Sequence, residues 1–502
     1  MMLQRAACRP SVGAGVGLRL SSAPSTVVRA APRWTRLYSA GGPPKPKSSS
    51  RVLPAVAVVL AGGVGYQLAE YQKTSKSGAI PTLSGPVDLD ALTESPVDSG
   101  SFETADAKLR EDVFVGSFTA EGKNTHVHAA RVASNHPVED MMAFSLAPGV
   151  GKSETLFNGV YDGHAGWATS VVLKDALIPA VSAPLSQLPK GTPDSTIDTT
   201  IVKAFTNLDD LLFANAKKAV DGLKAGTCET ADSRVTSVLA PVIAGSCALL
   251  SIFDPVTSTL RVACTGDSRA VLGSIPAGAT SYSSLELSKD QNGRNQDEFD
   301  RLAKEHPGEE ADMIDPKSGR LFGIAVTRAF GDHRWKWDND FITHIHQNFW
   351  GTGPRPKTKT APYMTAAPVV TTTKIESPDF VILASDGLWD HISSKDAVEC
   401  VSQWIAAKKA GKQTPQDKLA ATPGQKSELD LTYGWPNWYA KPENFVVEDL
   451  DNAAVHLIKN ALGGARRTLF TGVALAYPPL SRSVRDDVTV QVIFFQDPAK
   501  SS

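Results

Sequence analysis

Short apolar runs of strand length recur along the chain from about residue 109, and four of them meet an acidic residue at one end. Leu156 to Tyr161, Leu260 to Thr265 and Phe380 to Ser385 read as strands running into Asp162, Asp267 and Asp386, whereas Val488 to Phe495 reads as a strand that begins just after Asp486. Ala248 to Phe253 and Thr259 to Thr265 flank the turn Asp254-Pro255-Val256-Thr257-Ser258, which predicts a hairpin. Ile197, Ile201, Phe205, Leu208 and Leu212 recur at helical spacing and predict an amphipathic helix that covers a sheet. Strands and helices in this mixture indicate an α/β layered domain.

If the strand after Asp486 runs antiparallel to its neighbours, its start lies at the same sheet edge as their ends, and the four carboxylates converge. Ionised carboxylates that close are tolerated when a cation compensates them, and otherwise some take up protons as a coupled group. Carboxylate and water oxygens, without a cluster of Cys or His, favour Mg²⁺ or Mn²⁺ over zinc. Any single Asp-Gly is a common turn signal. The joint pattern is what points to a metal.

Further motifs stand in order along the chain: Pro137-Val138-Glu139-Asp140, Tyr161-Asp162-Gly163-His164-Ala165-Gly166, Ala244-Gly245-Ser246, Thr265-Gly266-Asp267-Ser268-Arg269-Ala270, Val326-Thr327-Arg328-Ala329-Phe330-Gly331-Asp332, Leu383-Ala384-Ser385-Asp386-Gly387-Leu388-Trp389-Asp390 and Arg485-Asp486-Asp487-Val488. Together they resemble the metal-dependent protein phosphatase family, the type 2C serine/threonine phosphatases, over nearly all of residues 109 to 496. The resemblance implies a four-layer α-β-β-α sandwich of two antiparallel sheets flanked by helices, with the metals at one end. It implies that Glu139, Asp162, Asp386 and Asp486 hold two Mg²⁺ or Mn²⁺ ions with help from the Gly163 carbonyl, Asp162 bridging both. Asp140 would act through bound water, and Asp267 and Asp390 would join Asp386 at a third, looser ion found in some members. The implied chemistry is in-line attack on phosphorus by a water bridging the two ions. His164 would protonate the departing serine or threonine oxygen, or alternatively only orient a carboxylate or a bound water.

Four residues before the metal-binding Glu, many members carry an Arg that grips the substrate phosphate. Here that position is Asn135, the candidate substrate-binding residue, and a bidentate guanidinium is lost. Ser134-Asn135-His136-Pro137-Val138-Glu139-Asp140 is similar to the mitochondrial branch of the family, the pyruvate dehydrogenase phosphatase catalytic subunits, and a fungal member is expected. Trp335-Lys336-Trp337, followed by a long insertion ending in Pro362-Tyr363-Met364-Thr365-Ala366-Ala367-Pro368, agrees with that branch. The resemblance makes phosphorylated E1α of the pyruvate dehydrogenase complex the expected substrate partner.

No Asp or Glu precedes Glu70, whereas Arg5, Arg9, Arg19, Arg29, Arg33 and Arg36 lie among Ala, Ser and apolar residues. This is the composition of a mitochondrial transit peptide, expected over residues 1–38 with cleavage near Ser39. Val52 to Ala69 is apolar and Gly-rich, near the minimum of about 17 residues that can span a bilayer. It reads either as an inner-membrane anchor or as a docking segment. An anchor facing the intermembrane space would keep the enzyme from a matrix dehydrogenase, so substrate and anchor pull against each other, and another intermembrane-space phosphoprotein is the alternative substrate. Residues 70–108 read as a flexible tether, with the phosphatase domain at 109–496 and insertions near 333–366 and 406–443.

A formal net charge of −2 with no basic domain after the leader argues against nucleic acid as a partner. Cys228, Cys247, Cys264 and Cys400 show no metal spacing or disulfide framework and are expected to be reduced. In the second insertion, Trp435, Trp438 and Tyr439 are expected to pack locally. The reading from another class is a phosphatase-like scaffold without catalysis; the full set of metal carboxylates and His164 opposes it.

Overall fold

The computed structural model describes residues 100–229, 232–349, 351–376, 378–415 and 438–500. The expected transit peptide, the Val52 to Ala69 segment, residues 70–99 of the tether and Trp435 lie outside the described residues.

In chain order the strands are β1 (Val113–Ala120), β2 (Lys123–Val132), β3 (Met141–Pro148), β4 (Glu154–Tyr161), β5 (Gly163–His164), β6 (Gly245–Ser246), β7 (Ala248–Asp254), β8 (Thr259–Thr265), β9 (Arg269–Ser274), β10 (Ser283–Glu286), β11 (Phe330–Gly331), β12 (Val369–Lys374), β13 (Phe380–Ala384) and β14 (Val488–Phe494). One sheet is ordered β1-β2-β14-β13-β9-β10, a second β12-β8-β7-β4-β3, and a short third β11-β6-β5; every pairing within them is antiparallel. The predicted hairpin is β7–β8, and its turn is tied by Asp254, whose carboxylate accepts from the Val256 N–H at 2.9 Å and the Thr257 hydroxyl at 2.8 Å.

The two large sheets face each other. Val127, Ile493, Val381 and Leu272 from one meet Val160, Leu249 and Val262 from the other in a shared core. Each such side chain contributes about 1.5–3 kcal/mol when fully buried. On the outer face of the six-stranded sheet pack the helices Ser394–Ala410, Ala453–Ala461 and Arg467–Leu475. The outer face of the five-stranded sheet is covered by Ala168–Leu185 and Asp194–Lys224, and the latter buries Ile197, Ile201 and Phe205 as their spacing predicts. The architecture is the expected sandwich of two antiparallel sheets between helices.

The tether expected up to residue 108 ends earlier. Phe102–Leu109 is a helix, capped by the Ser101 hydroxyl on the Thr104 N–H at 3.2 Å. Buried Ala105 and Leu109 join the outer core, and Asp106 pairs with the nearly buried Lys459 ammonium. These contacts come from residues some 350 positions away, so the local Ser/Thr-rich composition could not announce them.

Trp438 packs locally as expected, stacked on His391 at 4.0 Å with its N–H on the Ala461 carbonyl at 2.9 Å, whereas Tyr439 is exposed. The four described cysteines are all free thiols.

Topology sets the position of the chemistry. β4 and β8 are both antiparallel to β7, so they run the same way and end at one edge. β13 is antiparallel to β14, so the end of the first lies beside the start of the second.

Candidate active site

Asp162, Asp267 and Asp386 each offer a carboxylate oxygen, and these oxygens lie within 4.8 Å of one another. The Asp386 N–H points to Asp162 Oδ2 at 3.5 Å, while Asp386 Oδ1 is buried without a donor among the described residues. Burial and the neighbouring carboxylates push the Asp162 carboxyl well above its ordinary range and Asp267 up to about 8, and burial raises Asp386. Acidic groups so placed call for positive charge, and an orphaned buried oxygen calls for a ligand partner. The donor set, all oxygen, fits a hard divalent cation.

Asp486 does not join this trio. Its Oδ1 pairs with the Arg482 guanidinium four residues back and accepts the Asp487 N–H at 2.7 Å, so the convergence predicted for four carboxylates is reached by three. Its backbone is nonetheless at the site, with its Cβ against Gly387 beside Asp386. Asp390, one turn after Asp386, is exposed at the rim.

The loop carrying Glu139 is shaped by Asp487. One oxygen of that buried carboxylate accepts the N–H groups of Ser134 at 2.5 Å and Asn135 at 3.1 Å and the Ser134 hydroxyl at 2.9 Å; the other accepts the Glu139 N–H at 2.7 Å and the Asp140 N–H at 3.3 Å. Within the loop Asn135 donates its side-chain amide to Glu139 Oε2 at 2.7 Å, and the Gly166 N–H donates to Oε1 at 2.6 Å. Gly163 lies under the loop, where an added Cβ would sit 2.3 Å from the Glu139 carbonyl. Asp140 is fully buried and accepts from the Thr489 hydroxyl at 2.6 Å; burial and then Asp487 push its carboxyl up to about 7.

His164 is held by a residue to which the sequence reading gave no role. Its Nε2 lies 2.7 Å from Asp332 Oδ2, 168 residues away. Burial alone would lower the imidazole's pKa, but the Asp332 carboxylate outweighs it, and the net shift is upward. Gly245 makes the approach feasible, because a Cβ there would lie 2.2 Å from His164 Nε2 and 2.3 Å from Asp332 Oδ2. Asp332 itself is left-handed, φ 60°, at the turn from β11 into the helix His333–Lys336. Asp209, on the long helix Asp194–Lys224, fixes that turn by accepting the Gly331 N–H at 2.9 Å and pairing with Lys336 at 2.6 Å.

A family model described as protein phosphatase 2C matches residues 130–422, more than half of the chain. The chain belongs to the protein phosphatase 2C family. It is 35% identical over 439 residues to a protein phosphatase 2C homolog of Schizosaccharomyces pombe, covering 85% of this chain and 88% of the other. It is 34% identical over 406 residues to the mitochondrial pyruvate dehydrogenase phosphatase 1 of Saccharomyces cerevisiae, with 73% and 68% covered. To the human mitochondrial pyruvate dehydrogenase phosphatase 1 it is 34% identical over 273 residues, 51% of this chain and 49% of that protein. Protein phosphatase 2C members are hydrolases of phosphoproteins and depend on Mg²⁺ or Mn²⁺, which agrees with the acidic oxygen cluster.

Sequence reasoning missed Asp332 and Asp487 as site-building groups in this phosphatase. Both stand inside motifs it singled out, Arg328 to Asp332 and Arg485 to Asp487, so the signal was an acidic residue in a motif with no ligand role assigned.

Proposed function

We propose that this protein phosphatase 2C member is a mitochondrial phosphoserine/phosphothreonine phosphatase that uses Mg²⁺ or Mn²⁺ and acts on E1α of the pyruvate dehydrogenase complex. The observation that carries the reaction is the oxygen trio Asp162, Asp267 and Asp386 beside the His164–Asp332 pair. Glu139, Asp162, Asp386 and the Gly163 carbonyl would hold two ions, joined by Asp486 if its carboxylate exchanges Arg482 for metal, with Asp140 acting through water, and Asp267 and Asp390 would serve a third with Asp386. When bound, such ions supply a water that is nucleophilic near neutral pH and offset the phosphate charge.

The protein's own groups do the rest. Asp487 fixes the Glu139 loop by taking five donors, so the ligand oxygens are held in place before metal arrives. Asp332 holds His164 at Nε2, which leaves Nδ1 of the imidazolium to donate its proton to the departing serine or threonine oxygen. Asn135 ties Glu139 through its side-chain amide.

The substrate assignment is supported by the names of the yeast and human relatives and by Asn135 in place of the phosphate-gripping Arg. It is tested by measuring E1α phosphate occupancy in mitochondria with and without the gene, together with protease protection of the protein in intact and swollen mitochondria. A rise in E1α phosphorylation on deletion, with the protein on the matrix side, is the expected result; unchanged occupancy would remove the substrate while leaving the phosphatase.

A further inference from the structure

We infer that Arg334 and Arg355, with Arg320 beside them, form a site for an anionic side group of the substrate chain, a carboxylate or second phosphate flanking the residue being dephosphorylated. This rests on the phosphatase reading above and adds what the enzyme recognises beyond the reacting phosphate.

Both guanidiniums flank one ring: Arg355 lies 4.5 Å and Arg334 5.8 Å from the centre of buried Trp335, whose own N–H is fixed on the Leu321 carbonyl at 3.0 Å. Arg355 Nη1 packs 3.2 Å from where a Gly323 Cβ would be, and Arg320 reaches the Gly323 carbonyl at 3.4 Å, so the three cations share one small surface. Among the described residues none of the three makes a direct ion pair, the Asp332 charge acting on Arg334 and Arg355 only at longer range, whereas nearby Arg301, Arg328 and Lys357 each pair with a carboxylate. Among the described residues Arg334 spends only its Nε, on the Gly353 carbonyl at 2.7 Å, and the buried Nε of Arg355 has no acceptor. Half-buried guanidiniums that repel each other and keep unspent N–H donors are an arrangement completed by an anion.

Its position selects the anion. Asp332 holds His164 and stands two residues before Arg334, within about 7 Å by chain geometry. The arginines therefore stand beside the turn whose Asp332 holds His164. A side chain of the substrate next to the leaving oxygen that His164 serves would lie toward these cations.

The test uses the full-length protein and three phosphothreonine peptides whose flanking positions carry alanine, aspartate or a second phosphoserine, with an aryl phosphate as a fourth substrate. The wild type is expected to show about tenfold higher kcat/KM for at least one anionic peptide than for the alanine peptide, the size of one charge-assisted contact. The two anionic arms tell carboxylate from phosphate. R334Q/R355Q should erase the preference through KM and leave the alanine peptide and aryl phosphate within about twofold of wild type. A wild type without preference, a variant that keeps it, or a variant that loses all four substrates equally would overturn the site. If the protein hydrolyses nothing with metal, the phosphatase reading fails separately. The site is then judged by peptide binding in chelator, where tighter binding of an anionic peptide to wild type than to R334Q/R355Q supports it and equal binding rejects it.

Discussion

His164 Nε2 and Asp332 Oδ2 lie 2.7 Å apart, joining strand β5 to the turn that follows β11. The carboxylate fixes one ring nitrogen and stabilises the imidazolium, so its removal should matter most where the leaving group needs a proton. Asp332→Asn is expected to lower kcat on a phosphothreonine peptide by about 10²-fold, within the usual range for general acid catalysis, and to spare an aryl phosphate with its good leaving group. His164→Ala should show the same split. Equal losses on both substrates would reduce the pair to a structural tie.

Asp162→Asn and Asp386→Asn should abolish turnover, yet neither should destabilise the metal-free fold. Burial and like charge already raise these carboxyls, so an uncharged side chain relieves repulsion. Thermal unfolding in chelator should therefore give a Tm for Asp386→Asn at or above that of wild type, while Mg²⁺ or Mn²⁺ should raise the wild type alone. A variant that melts lower in chelator and still gains from metal would contradict the ligand assignment.

Asp487→Ala leaves five donors around the Glu139 loop without their acceptor. The loss is expected to reach about 3 kcal/mol, since each buried donor left unsatisfied costs about 1–3 kcal/mol and some will find water. Denaturant unfolding measures it, and a change under 1 kcal/mol would mean the loop holds itself.

The strands and the site residues next to them were legible because burial writes itself locally: Phe380 to Ala384 and Val488 to Phe494 are apolar without interruption, and the acidic residues beside them stand out. What the sequence could not carry was long-range pairing. Asp486 pairs locally with Arg482, four residues back, but Asp332 meets His164 across 168 residues, where the three-stranded sheet joins β5, β6 and β11. The helix Phe102–Leu109 was hidden for the same reason, its stability lying in Lys459 and Asp449 rather than in its own eight residues.

Lys459 is nearly buried between Asp106, Glu448 at 3.2 Å and Asp449 at 2.9 Å. Lys459→Ala should destabilise the protein by about 1–3 kcal/mol, because it leaves Asp106, Glu448 and Asp449 to Arg110 and Arg467 alone, and should expose the helix Phe102–Leu109 to proteolysis before the rest unfolds. Cleavage there at the wild-type rate would show that the helix stands without this cluster.

Glu298 gives a pH signature remote from the metal ligands. Burial pushes its carboxyl up, but the guanidiniums of Arg328 at 2.6 Å and Arg301 at 2.9 Å prevail and hold it below the ordinary range. A carboxyl with a depressed folded pKa stabilises above its unfolded value of about 4.3, and that stability fades as pH falls through the folded value. Glu298→Gln should thus be less stable than wild type at pH 7, and the gap should shrink below about pH 4. A gap that stays constant with pH would assign the loss to packing.

The most direct test of the account is phosphate release from phosphorylated E1α by the purified full-length protein, with Mn²⁺ or Mg²⁺ and with chelator, beside a generic phosphothreonine peptide. Release is expected to require metal, to be abolished in Asp162→Asn, and to be much faster from E1α than from the peptide. Metal-independent release, or release undiminished in Asp162→Asn, would contradict it.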